Sequence, residues 1–165
     1  MTNKTINISE IEPKTTTHGS IYEWSRQKIT DKLDGEKLGA SIYELPPGKR
    51  AFVYHFHHAN EELFFVLEGN GTVRTPEGNQ EITEGDFFVA VTGKEGAHQI
   101  INNSDEPLRY LAVSTMIEPE VVEYEDSEKV FVMAGAAPGG DKDRRDLNLI
   151  FKQADATDYW DGEPE

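Results

Sequence analysis

Between residues 38 and 116 a glycine or proline interrupts the chain again and again, and the pieces left between are short and rich in β-branched and aromatic side chains. The breaks fall at Pro46, Pro47, Gly48, Gly69, Gly71, Pro76, Gly78, Gly85, Gly93, Gly96 and Pro107. Proline lacks the N–H that a helix interior needs, and glycine supplies the turn conformations, so this punctuation admits short strands and excludes long helices. Strands are expected at 38–45, 51–58, 62–68, 71–75, 79–83, 86–91, 97–103 and 107–116, with PEGNQ (76–80) a hairpin signal. No segment here keeps a helical apolar period, which places any helices in the extensions. The expected class is all-β, an antiparallel sandwich or barrel.

A chain of 165 residues suits one core. We expect an N-terminal extension (1–37), a β-barrel (38–116) and a C-terminal extension (117–165). The first is polar, with an amphipathic patch around Ile21, Tyr22 and Trp24 that can add a strand to the sheet or reach a neighbouring subunit. The last contains EYEDSEK, read as an acidic link, strand candidates VFVM (130–133) and LNLIFK (147–152) around an AGAAPGGDKDRRD loop, and an acidic, aromatic tail. That tail is expected either to fold over the barrel mouth or to be disordered.

Charge narrows the partners. Sixteen Lys and Arg against 31 Asp and Glu give a formal −15, a field that repels phosphate backbones and anionic lipid, so neither nucleic acid nor membrane is expected. Arg144 and Arg145 form a basic pair among aspartates that are expected to neutralise it. The chain has no cysteine, which removes disulfides, thiolate metal sites and cysteine nucleophiles. No stretch approaches the roughly 18 apolar residues of a membrane span, so a soluble, cytoplasmic protein is expected.

Three of the five histidines fall in HFHHANEELFFVLEG (55–69), inside expected β-structure. Side chains alternate along a strand, so Ala51, Val53, His55 and His57 share one face, and Phe52, Tyr54 and Phe56 the other. Glu62 opens the next strand, and His98 shares a later strand face with Ile100 and Asn102. Three imidazoles and a carboxylate on rigid strands suit a divalent first-row cation, whereas burying them without one leaves each polar group needing its own partner. Val53, Phe64, Val66 and Ile100, with Phe88, are expected to line the pocket beside it.

These residues resemble the cupin superfamily. Gly48, His55, His57, Glu62 and Gly69 fall in the order of its first motif, with four residues between His57 and Glu62 and six between Glu62 and Gly69. Gly85, Gly93, His98 and Asn102 match the second, although Val91 stands where proline is usual and two extra residues precede His98. The resemblance covers roughly 40–116 and implies an antiparallel double-stranded β-helix, or jelly roll, with a metal in the barrel mouth. It carries the ligand roles onto His55, His57, Glu62 and His98. Glu61 lies on the strand face opposite Glu62, and His58 faces away from His57, which leaves His58 a supporting or entrance group.

The expected function follows from that site: one divalent ion (Fe, Mn, Zn or Ni) and a small oxygen-rich or carboxylate metabolite, acted on by dioxygenase or isomerase-type chemistry. The alternative is a cupin that binds or senses a small molecule without turnover. No catalytic base is assigned; Glu61, His58, Tyr54 and Tyr110 are candidates, as Arg50, Arg74 and Arg109 are for an anionic ligand. A homodimer is expected, since small cupins commonly pair through their sheets.

Overall fold

The structure is a computed structural model in which residues 4–33 and 35–164 are described. Its elements are strands and short 3₁₀ turns. The strands are β1 (Lys14–His18), β2 (Tyr22–Lys28), β3 (Leu38–Leu45), β4 (Arg50–His57), β5 (Glu62–Glu68), β6 (Asn70–Thr75) and β7 (Gly78–Thr83), then β8 (Phe87–Ala90), β9 (His98–Ile101), β10 (Leu108–Thr115), β11 (Glu120–Tyr124), β12 (Lys129–Ala134) and β13 (Leu147–Lys152). The class is all-β, a curled and mostly antiparallel sheet, as the punctuation implied.

The strands expected between 38 and 116 all form, each within three residues of its expected ends. Pro76 and Glu77 make the tight turn of the β6–β7 hairpin, in which Thr75 faces Gly78. One 3₁₀ turn, Lys94–Gly96, sits inside the barrel segment rather than in an extension. EYEDSEK is not simply a link: Glu120–Tyr124 is a strand that pairs with both β12 and β4.

Along the main path the strand order is β13-β12-β11-β4-β2-β3-β10-β5-β8, with β1 on the far side of β2 and β9 bridging β4 and β6. The N-terminal extension thus enters the barrel wall, because β2 lies between β3 and β4. β4 is the hub: it meets β9 along its length, β2 at its start and β11 at its end.

The core gathers on the concave side, where Leu45, Leu108, Tyr110, Val73 and Ala51 are almost fully buried. Burying such side chains contributes about 1.5–3 kcal/mol each before entropy is counted. Asn102 is equally buried but bonds locally: its amide donates to the carbonyls of Leu45 and Glu106, and its oxygen accepts from Ser104. It ties the end of β9 to the end of β3, a structural job rather than a ligand's.

Strict alternation fails at one place in β4. The pairing with β9 shifts register between Ala51 and His55, and Phe52 there adopts φ +58°, a region costly for an L-residue with a side chain. The bulge swings Phe52 onto the cavity wall beside Trp24 and Tyr43, instead of the outer face expected from period two.

Tyr159 and Trp160 of the tail are 82% and 70% exposed, and no described tail residue lines the cavity, so the described tail does not cover the mouth. No helix among the described residues is long and apolar enough to cross a membrane.

Candidate metal centre

Two adjacent strands and one turn bring the polar groups together. His55 on β4 lies directly opposite His98 on β9, with ring centroids 4.7 Å apart. His57, two residues farther along β4, places its ring 5.0 Å from His55. After the turn at 58–61 the first residue of β5, Glu62, sets Oε2 3.2 Å from His98 Nε2 and 3.4 Å from His57 Nε2. One ligand atom each from His55, Glu62 and His98 falls within 4.8 Å of the others, a geometry that suits a cation.

Each imidazole is held by its other nitrogen. His55 Nδ1–H donates to the Val53 carbonyl at 2.8 Å, and His98 Nδ1–H to the Gly96 carbonyl at 2.9 Å. His57 Nδ1–H donates to Glu120 Oε2 at 3.2 Å. With Nδ1 committed as a donor, each ring in its neutral form carries its lone pair on Nε2, and the Nε2 atoms of His57 and His98 turn toward the Glu62 carboxylate.

Glu120 is fully buried and saturated with donors. Its Oε1 accepts from the backbone N–H of His58, Ala59 and Val121 at 3.1, 3.0 and 2.9 Å, and Oε2 accepts from Asn60 as well as His57. Burial alone would raise its pKa, but the hydrogen bonds from His57, Asn60 and Ala59 lower it, so it stays ionised. Nothing in its sequence neighbourhood marks it; the one signal was an acidic residue in an otherwise apolar strand run, EVV.

The field divides the histidines. Burial, reinforced by His98 and His57, pushes His55 down to about 3, so its ring is neutral at pH 7. Burial would also lower His57, yet its hydrogen bonds to Glu120 and Glu62 outweigh this and raise it to about 9 in the metal-free protein. Glu62 follows the same logic in reverse: burial raises its pKa, and the bonds from His57 and His98 carry it well below the usual carboxylate range.

Beside this cluster opens a cavity of about 460 Å³. Val53, Phe64 and Ile100 stand on its wall, whereas Val66 and Phe88 do not: Val66 is deep in the core, and Phe88 packs against Phe64 and the His98 ring. Gln99 also faces it, donating to the Phe52 carbonyl at 2.8 Å while its buried Oε1 has no donor among the described residues.

Of the base candidates only Tyr110 reaches the cavity, joined by Tyr43 and Tyr124, which the sequence did not single out. Burial raises all three phenols, which therefore remain protonated donors near neutral pH. His58 turns outward to Glu123 at 2.7 Å, Glu61 is exposed, and Tyr54 lies under the Arg74 guanidinium away from the cavity. Arg74 pairs with Asp126 and Arg109 with Glu44 and Glu68, and neither these nor Arg50 lines the cavity.

An all-β barrel with histidines and a carboxylate converging on one space is the arrangement that the cupin resemblance implies. Residues 41–114 match the family model described as a cupin domain, and this stretch of the chain is a cupin domain. An uncharacterized protein of Methanocaldococcus jannaschii is 25% identical over 97 residues, 59% of this chain and 66% of that relative's length. A sugar phosphate isomerase from a cupin superfamily of Silicibacter pomeroyi superposes with a TM-score of 0.76 at 19% identity, covering 96% of this chain and 98% of the other. A predicted oxalate decarboxylase of Thermotoga maritima gives 0.59 at 22% identity over 69% of this chain and all of its own. At these identities the likeness is one of fold, and the first structure shares it through both extensions.

Proposed function

We propose that the protein is a metal-dependent enzyme in which His55, His57, Glu62 and His98 hold one divalent ion and a small oxygen-rich metabolite binds in the adjoining cavity. The observation that carries this reading is the set of three imidazoles anchored through Nδ1 around Glu62: the Nε2 atoms of His57 and His98 turn toward its carboxylate, and His55 offers a ligand atom within 4.8 Å of those of Glu62 and His98. Anchoring through Nδ1 leaves each neutral ring with its Nε2 lone pair free to present to an ion. The donor set, nitrogen with one carboxylate, fits iron, manganese, zinc or nickel.

Such an ion supplies Lewis acidity toward a carbonyl or, if redox-active, a site for oxygen chemistry. The chain's own part is binding and orientation. Phe64, Ile100 and Phe52 exclude water from the cavity, Gln99 Oε1 accepts from a ligand hydroxyl, and the neutral phenols of Tyr43, Tyr110 and Tyr124 donate to ligand oxygens. An oxygen-rich ligand satisfies these groups where a hydrocarbon leaves them unpaired. The sugar phosphate isomerase that shares the whole fold is in keeping with an isomerase-type reaction.

The test is elemental analysis of untagged protein, as purified and after anaerobic reconstitution with ferrous iron, followed by oxygen uptake and isomerisation assays on chelating hydroxy acids. Near one equivalent of metal is expected, lost in His57→Ala and retained in Glu61→Gln. Turnover without oxygen consumption selects the isomerase type; binding without any turnover converts the reading to a small-molecule-binding cupin. Full metal content in the His57 variant would refute the ligand set.

A further inference from the structure

The charge on the cavity wall runs against that of the chain. Acidic residues outnumber basic ones 31 to 16 overall, yet the wall carries Arg26, Lys28, Lys142 and Arg145 against a single carboxylate, Glu62, among the described residues. Lys28 is paired with Asp31. The two arginines are not paired with any acid among the described residues.

Arg26 sits on β2, in the N-terminal extension. Its Nε donates to Ser41 Oγ at 2.9 Å and its guanidinium carbon lies 5.5 Å from the centre of the Tyr43 ring. Its two terminal nitrogens have no hydrogen-bond acceptor, and no carboxylate stands within 4 Å, among the described residues. Arg145 comes from the loop before β13. It donates to the carbonyls of Ala136 and Ala137 at 3.0 and 2.8 Å and to Asn148 Oδ1 at 2.8 Å, all neutral acceptors, and burial lowers its pKa.

The 136–139 loop joins the two. Arg145 is bonded to its first carbonyls, and an Arg26 terminal nitrogen lies 3.4 Å from where a Cβ on Gly139 would stand, a residue at φ +80°. Two partly buried guanidinium groups without counter-ions are costly to keep, and their remaining N–H groups match an oxyanion. Neither arginine belongs to the stretch that carries the metal candidates: one precedes the cupin domain and the other follows it.

We infer that the two extensions build an anion subsite from Arg26 and Arg145, so that the cavity takes a two-ended small molecule: oxygens that chelate at the His–Glu cluster, and a phosphate or carboxylate held by the arginines. The chelating end rests on the metal reading above; the anionic end rests on the arginines alone.

The experiment is calorimetric titration of inorganic phosphate, and separately of propionate, into wild-type protein and into Arg26→Gln, Arg145→Gln, Arg145→Lys, Arg74→Gln and His55→Ala at low ionic strength. Saturable one-to-one binding of at least one anion is expected, and which one binds distinguishes a phosphorylated from a carboxylated ligand. Arg26→Gln and Arg145→Gln should each weaken it about tenfold or more. Arg145→Lys, which keeps the charge, should recover part of the loss, and Arg74→Gln, already paired outside the cavity, should change nothing. His55→Ala should lose metal and keep the anion. No saturation by either anion, or loss of binding in His55→Ala with both arginine variants unaffected, would overturn the subsite; metal retained in His55→Ala with arginine-dependent anion binding intact would instead overturn the metal reading and leave the subsite standing.

Discussion

Glu120 accepts a hydrogen bond from His57 Nδ1 at 3.2 Å across 63 residues of sequence, and this contact decides which nitrogen of His57 faces Glu62. The carboxylate is acceptor-only, so His57 satisfies it only with a proton on Nδ1, which in the neutral ring leaves the lone pair on Nε2.

Glu120→Gln keeps the volume but places an NH₂ where Oε2 now accepts from both His57 and Asn60. Keeping the His57 bond there forces His57 to the opposite tautomer and removes the Nε2 lone pair, whereas turning the NH₂ to the Oε1 position sets it against the N–H groups of His58, Ala59 and Val121. Metal affinity is expected to fall about 10–100-fold, the range seen when such supporting carboxylates are lost. Competition with a chromophoric chelator measures it; an unchanged affinity would show that Glu120 serves stability alone.

In the metal-free protein, His57 is raised from 6.5 to about 9, so its proton stabilises the fold. That contribution is complete below pH 6.5 and is lost as pH rises through about 9. Glu62 and Glu120 are lowered, so their contribution is present above their ordinary value of 4.5 and is lost as pH falls through the lowered values. Chelator-stripped protein should therefore melt highest between about pH 4.5 and 6.5. His57→Gln should flatten the alkaline limb in a thermal-unfolding series, and an alkaline limb identical to wild type counts against the assignment.

Gly96 links packing to the site: its carbonyl receives His98 Nδ1–H, and a Cβ there would lie 1.7 Å from the Val91 carbonyl oxygen. Gly96→Ala must displace the 94–96 turn. A loss of at least about 1–3 kcal/mol in denaturant unfolding is expected, with weakened metal binding. Wild-type stability in this variant would mean that the turn relaxes without disturbing His98.

His58→Ala removes an exposed pair with Glu123 and no cluster contact. It should cost no more than about 1 kcal/mol and leave metal stoichiometry intact. Loss of metal here would place His58 among the ligands.

Much of this molecule is written locally. Strand positions followed from glycine and proline, whose effects on the backbone act at the residue itself, and the convergence of His55 with His57 followed from the two-residue pleat. The extensions were only partly legible: VFVM and LNLIFK announced strands, but the strand at Glu120–Tyr124 hid behind its charges, since burial of a glutamate depends on donors that only folding assembles. The bulge that brings Phe52 to the cavity and the absence of Val66 and Phe88 from its wall were likewise settled by packing. Arg145 reads in sequence as neutralised by neighbouring aspartates, yet in the fold it bonds carbonyls and faces a cavity with Arg26, 119 positions away by number. Backbone preference is a property of each residue, so sequence alone determined the strands and nominated the ligands. Which charges meet, and which remain without a partner, depends on long-range pairing, and that the tertiary structure alone decided.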